Sequence, residues 1–348
     1  MQRVMNYGSF LQSFALKQTI EQLGNRCEFI DIEQGIVFPE LRRTPSFLLQ
    51  KAWERYGKWD ILKRIRYTRI FEQRFRKEFF EILGVNTHEI THFDTVVIGS
   101  DEVFNFSQRV PWGYTPQLYG RVSNADKVMS YAASFGHTTI ADIEHYGVKR
   151  DISNALTSMQ AISVRDVNSY EIVKELTGKE PRMHVDPVLM FDYSSYVKPV
   201  VEKDYIIIYT YPNRIKKPGE IDAIRAFSRR YNKKLISIGF YFPWCDKTVV
   251  PDPFEVLGYI KQADYIITDT FHGSVMSLKF NRPFAALVRP TNKQKMKSLL
   301  FKFHLENRIV DDLSYLECVL LSKNDYALVN AELEIEKFRS LDYLRKNL

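Results

Sequence analysis

The chain is poor in the features that announce several common protein classes. Its 348 residues include only three cysteines, Cys27, Cys245 and Cys318. They are odd in number and far apart, which argues against a disulfide framework or a zinc knuckle and fits a reducing cytoplasm. No apolar run approaches the ~20 residues needed to cross a bilayer. The N-terminal Met1-Gln2-Arg3-Val4-Met5 is not followed by the apolar stretch and small-residue cleavage site of a signal peptide. No set of His, Cys, Asp and Glu has convincing metal-ligand spacing, so no metal is expected. Internal repeats and low-complexity segments are absent.

What is present is ordinary globular composition, 45% hydrophobic and 26% charged, with a formal net charge of +7 and 14% aromatic residues. The length suggests two domains at roughly 100–200 residues each. Net charge speaks to partners. Nucleic acid, anionic lipid surfaces and phosphorylated substrates are all compatible with it. The basic stretch Lys51 to Lys77 is the one feature in favour of nucleic acid, and no reader motif accompanies it, so nucleic acid is not expected as a partner.

Leu11, Phe14, Ala15, Ile20 and Leu23 recur at helical spacing, with Ser9 as N-cap and Gly24 as stop. Cys27 to Ile32 then reads as a strand. Helix followed by strand is half of a βαβ unit, yet only about five residues precede the helix where a strand is expected. Residues 40 to 92 carry Trp53, Tyr56, Trp59, Leu62, Ile65, Ile70, Phe71, Phe75 and Phe79 among many Lys and Arg, and predict one or two basic helices. These either approach an anionic membrane surface or pack an aromatic face on the domain with the basic residues solvated.

From residue 94 strands and helices alternate. Predicted strands are 94–98, 127–132, 161–165, 182–185, 205–209, 234–238, 265–268 and 283–288. Predicted helices include 169–176, 219–230, 254–261, 273–280 and a charged helix over 330–348. This rhythm predicts an α/β protein with parallel sheets in both halves. The expected division is an N-terminal domain over 1–192 with a helical insertion at about 40–92, a C-terminal domain over 193–330, and a C-terminal helix over 331–348.

In open α/β sheets, ligands bind beyond the carboxyl ends of strands. Four strand ends carry polar residues. Gly99-Ser100-Asp101 follows a buried strand, where Ser100 and Asp101 either cap a helix or contact a ligand. Ser134, Gly136 and His137 follow another, as close packing or as a site. Arg165 ends a third, where its guanidinium either holds a carboxylate or phosphate bidentately or pairs with Asp166 or Glu171. The fourth, Thr268-Asp269-Thr270-Phe271-His272-Gly273-Ser274, runs from strand to helix. A helix N-terminus attracts anions, and a histidine beside it can move a proton or bind an anion. The alternative is a capping Asp or Thr with a satisfied His.

Taken in order, NYGSFLQSFAL, VIGSDEVFN, SYAASFG, ISVRD, HVDPVLM and TDTFHGSVMSLKFNRPF resemble the polysaccharide pyruvyl transferase family over Asn6 to about Phe284. The resemblance implies a GT-B-like fold of two Rossmann-like domains facing a cleft. It implies transfer of pyruvate from phosphoenolpyruvate to a sugar, forming a ketal, in exopolysaccharide, capsule or cell-wall glycan synthesis. Positions matching motifs include Asn6, Tyr7, Gly8, Ser100, Asp101, Arg165, Asp186, His272 and Gly273. Two departures stand out. Some members carry Arg-Leu-His-Gly where this chain has Thr270-Phe271-His272-Gly273. Members also begin with a complete strand before Asn-Tyr-Gly, which implies here either a natural chain that starts earlier or a lost strand.

The expected catalytic groups are His272 as acid–base and Asp101 orienting or deprotonating the acceptor hydroxyl. Arg165, Asn6, Tyr7, Gly8, Ser100, Ser134, Asp269, Thr270, Gly273 and Ser274 are expected to bind substrate, with phosphate at the helix start near Gly273. Partners would be phosphoenolpyruvate, as donor substrate rather than cofactor, and a glycan acceptor, with peripheral contact at the inner membrane surface. The rival readings are a glycosyltransferase using a nucleotide sugar and a non-catalytic glycan-binding member of the family.

Overall fold

The computed structural model describes residues 2–41, 58–86, 89–108, 110–212 and 214–348. Two parallel sheets organise it. In the N-terminal half, β1 (Phe93–Asp101), β2 (Ala125–Ala133), β3 (Ser163–Val164) and β4 (Arg182–Met183) lie in the order β1-β2-β3-β4. In the C-terminal half, β5 (Tyr205–Tyr209), β6 (Lys234–Ile238), β7 (Lys247–Val249), β8 (Tyr265–Thr268) and β9 (Phe284–Ala286) lie in the order β7-β6-β5-β8-β9. This is the pair of parallel α/β sheets that the sequence rhythm and the GT-B resemblance imply.

The helices are α1 (Tyr7–Gln22), α2 (Lys58–Arg74), α3 (Phe80–Leu83), α4 (Ile140–His145), α5 (Lys149–Ser158), α6 (Val167–Thr177) and α7 (Pro187–Met190). The later ones are α8 (Pro218–Arg230), α9 (Pro253–Gln262), α10 (Phe271–Lys279), α11 (Lys293–Lys302), α12 (Leu316–Leu321) and α13 (Tyr326–Asn347). None of the described helices is long and apolar enough to cross a membrane.

The C-terminal sheet shows why its strands read as unbroken apolar runs. In β5, Tyr205, Ile207 and Tyr209 enter the core under α1 and α9, while Ile206 and Ile208 enter a second core with Ile224 and Phe227 of α8 and with α12. Every residue of β5 is buried because helices cover both faces. Fully burying one such isoleucine contributes about 1.5–3 kcal/mol.

Several expectations change. Asn6, not Ser9, caps α1: its side chain accepts from the Ser9 amide at 3.1 Å, which sets the helix start at Tyr7. Cys27 to Ile32 belongs to no strand, because none of the described residues pairs with it. α10 starts at Phe271 rather than Gly273, since Thr270 supplies the cap. Of the expected basic helices, residues 42–57, with Trp53 and Tyr56, lie outside the described residues. α2 and the π-helical turn Phe75–Phe79 turn Phe71, Phe75 and Phe79 onto Tyr7, Phe10 and Phe240, so the insertion packs with the C-terminal half. α13 does the converse. It leaves the C-terminal half and packs Tyr343 and Leu344 on Met129 and Tyr131 of β2.

Candidate active site

The carboxyl ends of the two sheets face each other, and charged groups from both halves meet there. At the end of β1, Asp101 holds the left-handed φ of 76°. This is uncommon for a residue with a side chain, and such residues cluster at functional sites. Its carboxylate accepts from the Ser9 hydroxyl at 3.2 Å and from Arg165 at 3.1 Å. Arg165 follows β3 and is buried between two carboxylates, its other terminal nitrogen donating to Asp186 at 2.7 Å. The guanidinium stacks on Phe271 of α10, 4.2 Å from the ring centroid. From the C-terminal half, His272 Nε2 lies 3.4 Å from the Asp186 carboxylate. The Arg165, Asp186 and His272 side chains are 2%, 0% and 8% exposed.

Electrostatics follow from this packing. Burial alone pushes the Asp101 carboxyl up, but Arg165, His272 and Lys295 outweigh it and hold it well below the usual carboxylate range. Burial likewise opposes ionisation of Asp186, and His272 and Arg165 overcome it. For Arg165, burial disfavours the charge, and Asp101 and Asp186 restore it. A further ion pair spans the cleft from Glu102 to Lys295 of α11, whose ammonium sits 5.6 Å from the Phe271 ring. One buried polar atom of the cluster, Arg165 Nε, has no hydrogen-bond partner, and His272 Nε2 has only its long 3.4 Å contact to Asp186. Buried unpaired polar atoms are rare in folded proteins and each calls for a reason.

The remaining predicted site residues divide. Asn6 stays at the cleft and donates from its side-chain amide to the Tyr211 hydroxyl at 2.7 Å, linking the halves. Gly8 has a steric task. A Cβ there would fall 2.3 Å from His272 Cγ, so only glycine lets α1 pass under the imidazole. Tyr7 does not reach the cluster, because its hydroxyl donates to the Pro251 carbonyl inside the aromatic core. Ser100 accepts from the Asp101 amide, and Ser134 donates to Asp166, the cap of α6, so both shape strand ends. Thr270 accepts from the Gly273 amide at 2.9 Å, which occupies the N–H expected for phosphate. Gly273 sits where a Cβ would fall 2.1 Å from Thr268 Oγ1. Ser274 is buried in the first turn of α10. Asp269 lies deeper, accepting from Thr210 at 2.7 Å and from Arg289 at 3.3 Å, and burial raises its carboxyl despite these partners.

Sequence reasoning missed Lys295, Tyr211 and the stacking role of Phe271. Phe271 stood inside a highlighted segment. Lys295 had no local signal, being one lysine of several in a basic stretch. Among the described residues, no group of three His, Cys, Asp or Glu is arranged to hold a metal ion.

UDP-GlcNAc 2-epimerase from Methanocaldococcus jannaschii aligns with 72% of this chain and 77% of its own, at 13% identity and TM-score 0.42. Arabidopsis thaliana UGT89C1, complexed with UDP-L-rhamnose, aligns with 63% and 66% at 12% identity and TM-score 0.39. The structure of accessory secretory protein 1, 2 and 3 in Streptococcus pneumoniae aligns over 76% of this chain, which spans about half (52%) of that one, at 11% identity and TM-score 0.42. No curated protein matches this sequence. The family model described as polysaccharide pyruvyl transferase matches residues 6–290.

Proposed function

Because this chain belongs to the polysaccharide pyruvyl transferase family, we propose that it transfers pyruvate from phosphoenolpyruvate to two hydroxyls of a cell-surface polysaccharide sugar or its lipid-linked precursor, forming a ketal and releasing phosphate. The observation that carries this reading is the buried cluster of Asp101, Arg165, Asp186 and His272. It combines a proton-transfer group, held beside the Asp186 carboxylate, with a guanidinium whose Nε has no hydrogen-bond partner.

The reaction adds one proton to the methylene carbon of the donor and gives an oxocarbenium-like centre at the carbon bearing phosphate. One hydroxyl oxygen bonds to that carbon and loses its proton. Phosphate departs with the C–O bond pair. A second hydroxyl adds, loses its proton and closes the ring. The two hydroxyl protons balance the one taken by carbon and the one taken by phosphate. His272, beside Asp186, supplies the proton to carbon. Asp101 stays ionised and accepts from or orients a hydroxyl. Arg165 Nε is the free donor for the donor's carboxylate, and Lys295, paired with Glu102 beside Phe271, is the cation nearest for its phosphate.

In a reaction of purified protein, phosphoenolpyruvate and candidate glycans, phosphate release should accompany the mass gain of a pyruvate ketal on the sugar. His272→Ala should lower the rate by about 10²–10⁴-fold. Full activity in that variant would remove His272 from its role. Stabilisation by UDP or GDP but not by phosphoenolpyruvate would point instead to nucleotide-sugar transfer.

A further inference from the structure

The insertion turns its aromatic rings inward and leaves a second face outward. On α2, Tyr67 and Phe71 stand four residues apart and pack on Tyr241 and Phe240. Leu62, Ile65, Arg66 and Arg69 recur at i, i+3, i+4 and i+7, which gathers them on the opposite face. All four are exposed, Leu62 by 66% and Ile65 by 42%. Lys63, Arg76 and Lys77 are exposed around them. Among the described residues, none of these Lys and Arg side chains is paired with a carboxylate. The exposed carboxylates from residue 60 to 83 are Glu72, Glu78 and Glu81, and Glu78 is already paired with Arg74 at 3.1 Å. A single exposed apolar side chain is ordinary. Two on one unpaired basic face are not.

The same helix stands at the rim of the cleft. β6 ends at Ile238, and the turn after it carries Phe240 and Tyr241. Asp60 of α2 accepts from the Tyr241 hydroxyl at 3.3 Å, and the Lys63 ammonium lies 5.7 Å from that ring. Phe240 neighbours Tyr211, with 6.3 Å between ring centroids, and Tyr211 accepts from Asn6 at the cleft.

We propose that the outer face of α2 docks on an anionic phospholipid bilayer and holds the cleft mouth at its headgroups. The cations meet lipid phosphates, and Leu62 and Ile65 enter the acyl boundary between them. A nucleic acid satisfies the cations but leaves both apolar side chains in water. A second copy packed face to face sets Arg66 and Arg69 against the same residues of its twin, in a chain whose net charge is already +7. A bilayer takes both kinds of side chain at once. The docking stands on this helix face alone. Its bearing on transfer rests on the lipid-linked acceptor proposed above, whose sugar would enter the cleft while its lipid stays in the membrane.

The test sediments the full chain with vesicles of phosphatidylcholine, with and without phosphatidylglycerol. The natural chain should bind the phosphatidylglycerol vesicles about tenfold or more tighter, and raised salt should release it. Each Lys or Arg near such a surface contributes about fivefold in binding, so Arg66→Gln with Arg69→Gln should weaken it about twentyfold. Leu62→Ser with Ile65→Ser should weaken it about tenfold. Arg225→Gln with Arg229→Gln removes the same charge from exposed positions of α8 and should change binding less than about twofold. All these side chains are exposed, and matching thermal midpoints check that each variant folds. Equal weakening by the α8 pair overturns the proposal, because net charge alone would then explain binding. So does binding unchanged in either α2 pair. Binding of RNA but not vesicles through Arg66 and Arg69 overturns it in favour of nucleic acid. A dimer dispersed by the Leu62 and Ile65 substitutions, with no vesicle binding, overturns it in favour of a second copy. Transfer to a water-soluble glycan should be equal in every variant, and a chain that transfers no pyruvate still passes or fails on the vesicles.

Discussion

The two sheets contain similar apolar strands and treat them differently. β5 reads Tyr-Ile-Ile-Ile-Tyr, has a neighbour on each side and is buried throughout. β1 carries Val96-Val97-Ile98, has one neighbour among the described residues, and alternates there between buried and partly buried residues. The same kind of sequence gives a sealed core in one sheet and a lined groove in the other. Apolar character makes a strand, but pairing on both edges decides whether it is sealed. The carboxyl end of the N-terminal sheet is held by other means. There Arg165 ties β1 and β3 to the turn after β4 through two carboxylates.

That contrast can be broken at four places. The largest loss is expected at Arg165, since Arg165→Ala leaves Asp101 and Asp186 buried without their cation. Breaking a buried ion pair costs about 3–5 kcal/mol, read by urea unfolding, and activity should vanish with it. A loss below that of Val97→Ala would show that charge does not hold this end. Next, Ile207→Ala in β5 should cost about 2–5 kcal/mol, whereas the partly buried Val97→Ala in β1 should cost about 1 kcal/mol or less. Equal costs would erase the contrast.

The third test is acid. His184 follows β4, donates to or accepts from Ser163 at 2.7 Å, and lies against Tyr343. Burial, aided by Lys302, Arg182 and Arg339, lowers its pKa to about 4. Folding favours the neutral ring, so its contribution is present above the unfolded value near 6.5 and is lost as pH falls toward 4. The loss approaches about 3 kcal/mol. Unfolding measured at pH 7 and pH 4.5 should show a flatter dependence in His184→Phe than in the natural chain. The smallest effect belongs to Asn6. Asn6→Ala should cost about 1 kcal/mol by removing the cap of α1. Asn6→Ser should restore most of that stability while still lacking the Tyr211 link, so an activity deficit in the serine variant isolates the link across the cleft.

The sequence was most legible where local pattern and tertiary context agree. Strands 205–209, 234–238 and 265–268 form where their apolar runs predict. β7, Lys247-Thr248-Val249, was illegible because an edge strand of three residues needs no apolar run. Residues 27–32 failed in the opposite way. Their pattern is that of a strand, but a strand is defined by a partner, and none of the described residues supplies one. At the site, residue types at strand ends singled out Asp101, Arg165 and His272, which the fold brings together. Asp186 was visible only as part of a motif. Lys295 was not visible, because nothing near it in sequence marks which lysine of that stretch will face Glu102.

The helix α13 carries a mechanical consequence. Chain from the N-terminal half enters the C-terminal core at α1 through Phe10 and Phe14 and at the insertion through Phe71 and Phe75, while α13 packs Val329 and Leu333 there and Tyr343 and Leu344 on β2. The halves are thus laced together by several crossings rather than by a single linker. Asp101, Arg165 and Asp186 come from one half and His272 and Lys295 from the other, and the lacing holds the two sets against each other.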